Sequence, residues 1–191
     1  MNNKFRVVLF VLILFSIAVI SCKTAEFGND TIDLNGMIYD FANRPVPNCE
    51  ITMGRRYSGI TDINGRFNLP KVPAGTYVIT GYKKGYETYS EEITVKDRGQ
   101  IIYIRIPSQI QLLNLADEAL ASSEFEEASE MAERAWQIDK KNAGALFYCA
   151  AAKFRLLEYD DAIAVLEKGL ELGIDDPYIN KFLNELRDRV N

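Results

Sequence analysis

Thr61-Asp62-Ile63-Asn64-Gly65-Arg66-Phe67-Asn68-Leu69-Pro70-Lys71-Val72-Pro73-Ala74-Gly75-Thr76-Tyr77-Val78-Ile79 decides how the first half of this chain folds. Asp62 to Gly65 has the composition of a tight turn. Asp and Asn side chains bond to nearby backbone, and Gly accepts positive φ. Phe67 and Leu69 then share one face of a strand, Pro73-Ala74-Gly75 turns the chain again, and Tyr77 and Ile79 begin a second inward face. Asp-x-Asn-Gly also invites comparison with a calcium loop. Such a loop needs further oxygen ligands and a distal glutamate, which are missing here, and Arg66 would place a positive charge beside the ion. The turn is the expected reading, with no metal and no cofactor.

The same period of two runs through the neighbouring segments. Leu34, Gly36 and Ile38 alternate, as do Cys49, Ile51 and Met53, then Ile93 and Val95, and Ile101 to Ile106 reads as a closing strand. About seven short strands separated by Gly, Pro and Asn predict an antiparallel β-sandwich. The order Gly36-Met37-Ile38-Tyr39-Asp40, Arg44-Pro45-Val46-Pro47-Asn48-Cys49-Glu50-Ile51, Thr61 to Phe67, Val72 to Tyr77 and Lys84-Gly85-Tyr86 resembles the carboxypeptidase regulatory-like domain, a transthyretin-like sandwich. Cys49 stands where that family usually has alanine. The resemblance implies seven strands and no peptidase activity.

Beyond Pro107 the apolar spacing changes to three and four, and alanine becomes abundant. Charge changes with it: residues 34–107 carry a net +3 and residues 109–191 a net −8. Sliding the chain by 34 residues aligns Leu112 with Leu146, Ala116 with Ala150, Phe125 with Tyr159, and Glu126-Glu127-Ala128 with Asp160-Asp161-Ala162. These residues and this period resemble a tetratricopeptide array. Lys153, Gly169 and Ile174 depart from the family pattern, which more usually has an aromatic, an alanine and a proline there. The predicted fold is therefore a two-domain chain, all-β then all-α. The expected boundaries are a leader over 1–22, a tether over 23–33, a sandwich over 34–107, repeats over 109–142 and 143–176, and a capping helix over 177–191.

Two repeats are fewer than the roughly three that usually make a stable stack, so the array is expected to lean on the sandwich, another subunit or a partner. The resemblance implies that the first helix of each repeat lines a concave groove. The matching residues are Ile110, Leu113, Asp117, Leu120 and Ala121, then Phe147, Ala151, Phe154 and Arg155. Either this apolar groove holds a segment of a protein partner, or the chain's own sandwich or last helix covers it.

Lys4 and Arg6 followed by the run Val7–Ile20, apolar but for Ser16, read as an export signal too short for a comfortable membrane span. Val19-Ile20-Ser21-Cys22 resembles the bacterial lipobox, which implies a lipidated Cys22 at a membrane of the bacterial envelope; an uncleaved anchor helix is the alternative. Lys23, rather than aspartate, follows, which points to the outer membrane. Cys49 and Cys149 lie in separate regions, and unpaired buried thiols are expected rather than a bridge. The chain has no histidine, and no nucleophile–base set or phosphate loop stands out, so no enzyme activity is expected. Basic pairs such as Arg55-Arg56 are too few on an acidic chain to suggest nucleic acid. The expected role is an envelope adaptor binding an unidentified protein or peptide, with self-association open. The alternative is carbohydrate or peptidoglycan binding on the sandwich, through Tyr57, Tyr82, Tyr86 and Tyr89.

Overall fold

The computed structural model describes residues 31–190. The leader and Cys22 lie outside the described residues. Thr31-Ile32-Asp33, the end of the expected tether, already belong to the first strand. The elements are β1 (Thr31–Tyr39), β2 (Glu50–Met53), β3 (Tyr57–Ile60), β4 (Arg66–Pro73), β5 (Gly75–Tyr82), β6 (Tyr89–Val95) and β7 (Ile101–Arg105). Five helices follow: α1 (Gln109–Ala121), α2 (Phe125–Ile138), α3 (Ala143–Arg155), α4 (Tyr159–Glu171) and α5 (Pro177–Val190).

The strands form two sheets, in the orders β4-β1-β7 and β3-β2-β5-β6. All pairings are antiparallel except β1 with β7, which run parallel. Alternation places Leu34, Ile38, Cys49, Ile51, Met53, Phe67, Leu69, Ile79 and Ile104 in one core between the sheets. Gly36 sits inside it because an added Cβ would fall 2.2 Å from the Phe67 ring.

The opening stretch is a turn. Asp62 Oδ1 accepts the Asn64 and Arg66 amides at 2.8 Å each, and the Gly65 amide donates to the Asp62 carbonyl. Gly65 has φ +72°, and an added Cβ would lie 2.4 Å from the Ile38 carbonyl oxygen. Gly65 is thus required both by its dihedral angle and by its close approach to β1. A second aspartate shapes the neighbouring loop: buried Asp40 accepts the Ala42 and Arg44 amides and the Arg44 guanidinium. Burial pushes this carboxyl up, and the hydrogen bonds outweigh it, leaving it below its ordinary value.

Successive strands alternate in direction, so the chain enters the sandwich at one end and leaves at the other. The entry end gathers Thr31, the β2–β3 turn, the β4–β5 turn and the β6–β7 turn. The exit end carries the Asp40 and Asp62 loops, the β5–β6 loop and the helices.

Ser108 starts α1 with a capping box: its hydroxyl accepts the Gln111 amide while the Gln111 side chain accepts the Ser108 amide. Asn142 caps α3. The helices α2 and α4 lack a side-chain cap and instead carry Glu126-Glu127 and Asp160-Asp161 in their first turns, where the helix dipole favours acids. Leu112, Ala116, Ala132, Ala135, Ala145 and Cys149 close one core, and Leu146, Ala150, Ala162, Leu166 and Leu183 the next. Cys49 and Cys149 are both buried and free.

Each departure from the repeat pattern has a local cause. Lys153 bridges Glu133 at 3.2 Å and Glu158 at 3.8 Å, linking three helical segments. Burial lowers its pKa, and the acids more than restore it. Gly169 gives way to Leu146, whose Cδ2 would lie 2.1 Å from an added Cβ. Ile174 is buried in the second helical core.

The array does lean on the sandwich. The Gln109 amide donates to the Gly85 carbonyl, and the Glu87 amide donates to that of Pro107. Arg134 of α2 pairs with Glu87 of the β5–β6 loop and lies 5.9 Å from the Phe41 ring centre. The seam charge is opposite to the bulk asymmetry: here the sandwich supplies the acid and the helices the cation.

Candidate functional site

The expected groove is built by α1 and α3, and α5 continues the row. Ile110 (70%) and Phe147 (39%) remain exposed. Asp117 is exposed and its carboxylate accepts the Tyr148 hydroxyl at 3.1 Å, tying α1 to α3. This bond and burial raise the Tyr148 pKa, burial contributing more. Leu113 and Leu120 are half-buried against the helical cores, and Ala151 is half-buried on the α3 face.

Ala121 is exposed at the end of α1, and the last two candidates are engaged elsewhere. Phe154 lies 5.6 Å from Tyr159 and 5.9 Å from Phe182 of α5, with the Arg189 guanidinium over its ring. The Arg155 guanidinium stacks on Phe125 of α2, 4.3 Å from the ring centre. The last helix therefore covers the C-terminal part of the α3 face and leaves the N-terminal part accessible.

That accessible part is a hollow of about 330 Å³ lined by Ala143, Gly144, Phe147, Tyr148, Asp176, Tyr178 and Ile179. Tyr178 is 77% exposed. Asp176 caps α5 by accepting the Tyr178 and Ile179 amides, which fixes one wall. Phe147 forms the other wall and is braced by Phe182 at 5.7 Å. Sequence reasoning placed Phe147 in the groove but missed Tyr148 and Tyr178. One more step of the same period carries Ile110 through Gly144 to Tyr178, so the signal for Tyr178 was present.

The alternative aromatic set is dispersed. Tyr57 and Tyr89 pair with Met53 and Gly81 on the core side of their sheet. Tyr57 also meets Tyr77 edge-on, and the Tyr89 hydroxyl donates to Glu91. Burial and that bond push the Tyr89 hydroxyl up to about 12. Tyr82 faces outward and is half exposed. Only Tyr82 and Tyr86 share a hollow, of about 340 Å³, with Lys83, Lys84, Glu87, Gln137 and Ile138 at the seam. Lys83 lies over the Tyr86 ring.

A family model described as "Carboxypeptidase regulatory-like domain" matches residues 33–104, and one described as "Tetratricopeptide repeat" matches residues 119–186. Among solved structures, the Sgt2 tetratricopeptide domain from Aspergillus fumigatus shares 28% identity over 44% of this chain and 56% of that one, with a TM-score of 0.41. A mutant type II cohesin–X-dockerin complex from Acetivibrio cellulolyticus shares 21% over 41% of this chain and 58% of that one, with a TM-score of 0.37. The chain thus spans little more than half the length of these two structures. No curated protein matches significantly. Residues 33–104 are a carboxypeptidase regulatory-like domain and residues 119–186 a tetratricopeptide unit that follows it, two kinds of module that are themselves non-catalytic.

Proposed function

We propose that this chain is a non-enzymatic adaptor, anchored to a bacterial envelope membrane through a lipidated Cys22 and holding an apolar segment of a protein partner against its helical row. The sorting residue after Cys22 favours the outer membrane. One observation carries the partner reading: exposed Phe147 and Tyr178 line a hollow between α3 and α5 that the last helix leaves accessible, and Ile110 stands exposed at the matching repeat position on α1. Large apolar side chains clustered on a surface mark interaction sites, and an apolar hollow between helices suits the anchor residues of an amphipathic segment.

The test is photo-crosslinking from position 144 in intact envelopes, followed by mass spectrometry. A discrete crosslinked protein, lost on Ile110→Glu or Tyr178→Glu with the fold retained, supports the adaptor. Crosslinks to lipid or solvent only would refute it. The hollow holding Tyr82 and Tyr86 keeps a second reading alive, glycan binding, which predicts glycan-array binding that Tyr82→Ala abolishes and Ile110→Glu leaves intact.

A further inference from the structure

The ten Lys and Arg of the sandwich divide between its two ends. Most of those at the exit end have structural work. Arg44 pairs with Asp40, Lys83 donates to the Pro47 carbonyl, and Arg105 donates to Asn43. At the entry end the β2–β3 turn carries Arg55 and Arg56, the end of β4 carries Lys71, and the β6–β7 turn carries Lys96 and Arg98, all of them exposed. Among the described residues of that end, Asp33 and Asp97 oppose these five, with Glu92 across β5 at the level of the β2–β3 turn. Both aspartates also accept backbone amides, from Lys71 and Gly99.

Local geometry brings two of the cations together. β1 and β4 slip register between Ile32 and Leu34, so Lys71 is the extra residue of a bulge, with φ +55°. The Asp33 carboxylate holds that conformation through the Lys71 amide at 3.0 Å. Lys71 and Arg56 then line one hollow of about 390 Å³ with Tyr57, Ser58 and Pro70. Two cations, a hydroxyl and an aromatic wall suit a phosphate ester. The same end receives the chain from residue 30, and an extended chain spans at most roughly 30 Å between Cys22 and Thr31.

We propose that this basic end of the sandwich rests on an anionic lipid surface, with the Arg56–Lys71 hollow taking a phosphate-bearing headgroup. The proposal deepens the anchored reading and rests on it for the choice of a bilayer. Basic residues beside an anionic leaflet act additively and within a Debye length of it.

The experiment uses the full chain reconstituted into phosphatidylcholine vesicles, with or without an equal part of phosphatidylglycerol. Backbone hydrogen exchange is read over Gly54–Ser58 and Lys96–Gln100. The expected result is several-fold slower exchange at both turns on the anionic vesicles only, removed by Arg56→Glu with Lys71→Glu and by high salt. Each cation at such a surface contributes about fivefold in partitioning, so the double reversal is a large perturbation. Equal exchange on the two compositions overturns the proposal. So does equal slowing by inorganic phosphate alone, which identifies a free-anion site. Palmitate labelling that depends on Cys22 is scored separately. Its absence would remove the anchor, while the headgroup contact stays measurable on the same vesicles.

Discussion

Glu87 and Arg134 meet through two parallel hydrogen bonds of 2.8 Å each, one from Nε and one from Nη2, across the seam between sandwich and helices. The bond to Glu87 raises the Arg134 pKa against the opposing effect of burial. Both side chains are about a third exposed, so solvent reduces the pair's contribution to about 1 kcal/mol. Arg134→Met should therefore cost little in total stability and chiefly loosen the seam. Calorimetry should show one unfolding transition for the parent and a broadened or divided one for the variant.

Gly65→Ala should destabilise the sandwich by about 2–4 kcal/mol, because both φ and a backbone contact forbid the new methyl. Urea denaturation followed by near-ultraviolet circular dichroism measures this. Asn64→Ala, in the same turn but with its side chain exposed, is the control and should change stability by no more than about 0.5 kcal/mol.

Leu157 has φ +67° and is 70% exposed in the turn between α3 and α4. Ser123 holds the equivalent place one period earlier, with φ +64°. A leucine in this conformation loses free energy that no burial offsets. Leu157→Gly should raise stability by about 1 kcal/mol, seen as a higher Tm.

Burial pushes the Cys49 thiol up to about 11 and the Cys149 thiol up to about 12, with Glu133 adding to the latter. Their contribution to stability is complete below the unfolded value of 9.0 and is lost as pH rises through the folded values. Stability should fall by at most about 1.4 kcal/mol per pH unit for each thiol in that window. Denaturation midpoints at pH 8 and above should trace the fall, and both thiols should resist iodoacetamide at pH 8 until the chain unfolds.

Phe182→Ala should remove the brace between α5 and the rings of Phe147 and Phe154. The expected cost is about 2 kcal/mol, below that of a fully buried phenylalanine. Ile110→Glu should change stability by no more than about 0.5 kcal/mol, because its side chain faces solvent. Chemical denaturation of the two variants side by side separates residues that hold the fold from those available to a partner.

Where local chemistry determines structure, the sequence was readable. The Asp62–Gly65 turn, the alternation of Cys49, Ile51 and Met53, and the 34-residue period each rest on neighbours along the chain, and each stands in the structure. The groove was half readable. Repeat position identifies which face a side chain leaves from, but it does not reveal that Phe182 and Arg189 arrive over Phe154, or that Arg155 turns to Phe125. Those contacts depend on packing between repeats. The tyrosine set is divided for a related reason: strand register, set by Met53↔Tyr57 and Gly81↔Tyr89, turns two of its members inward. Nor did the bulk charges of +3 and −8 foretell the seam, where a single loop acid meets a single helical arginine.

The sandwich has seven strands that alternate in direction, and seven is odd. An odd count makes the domain a strut: β5, with eight residues, runs roughly 26 Å from pole to pole. The start of β1 and the helices are thereby kept at opposite poles, a fixed height apart. Deleting or adding one strand would fold the helical arm back beside its own base, reversing the direction in which it reaches.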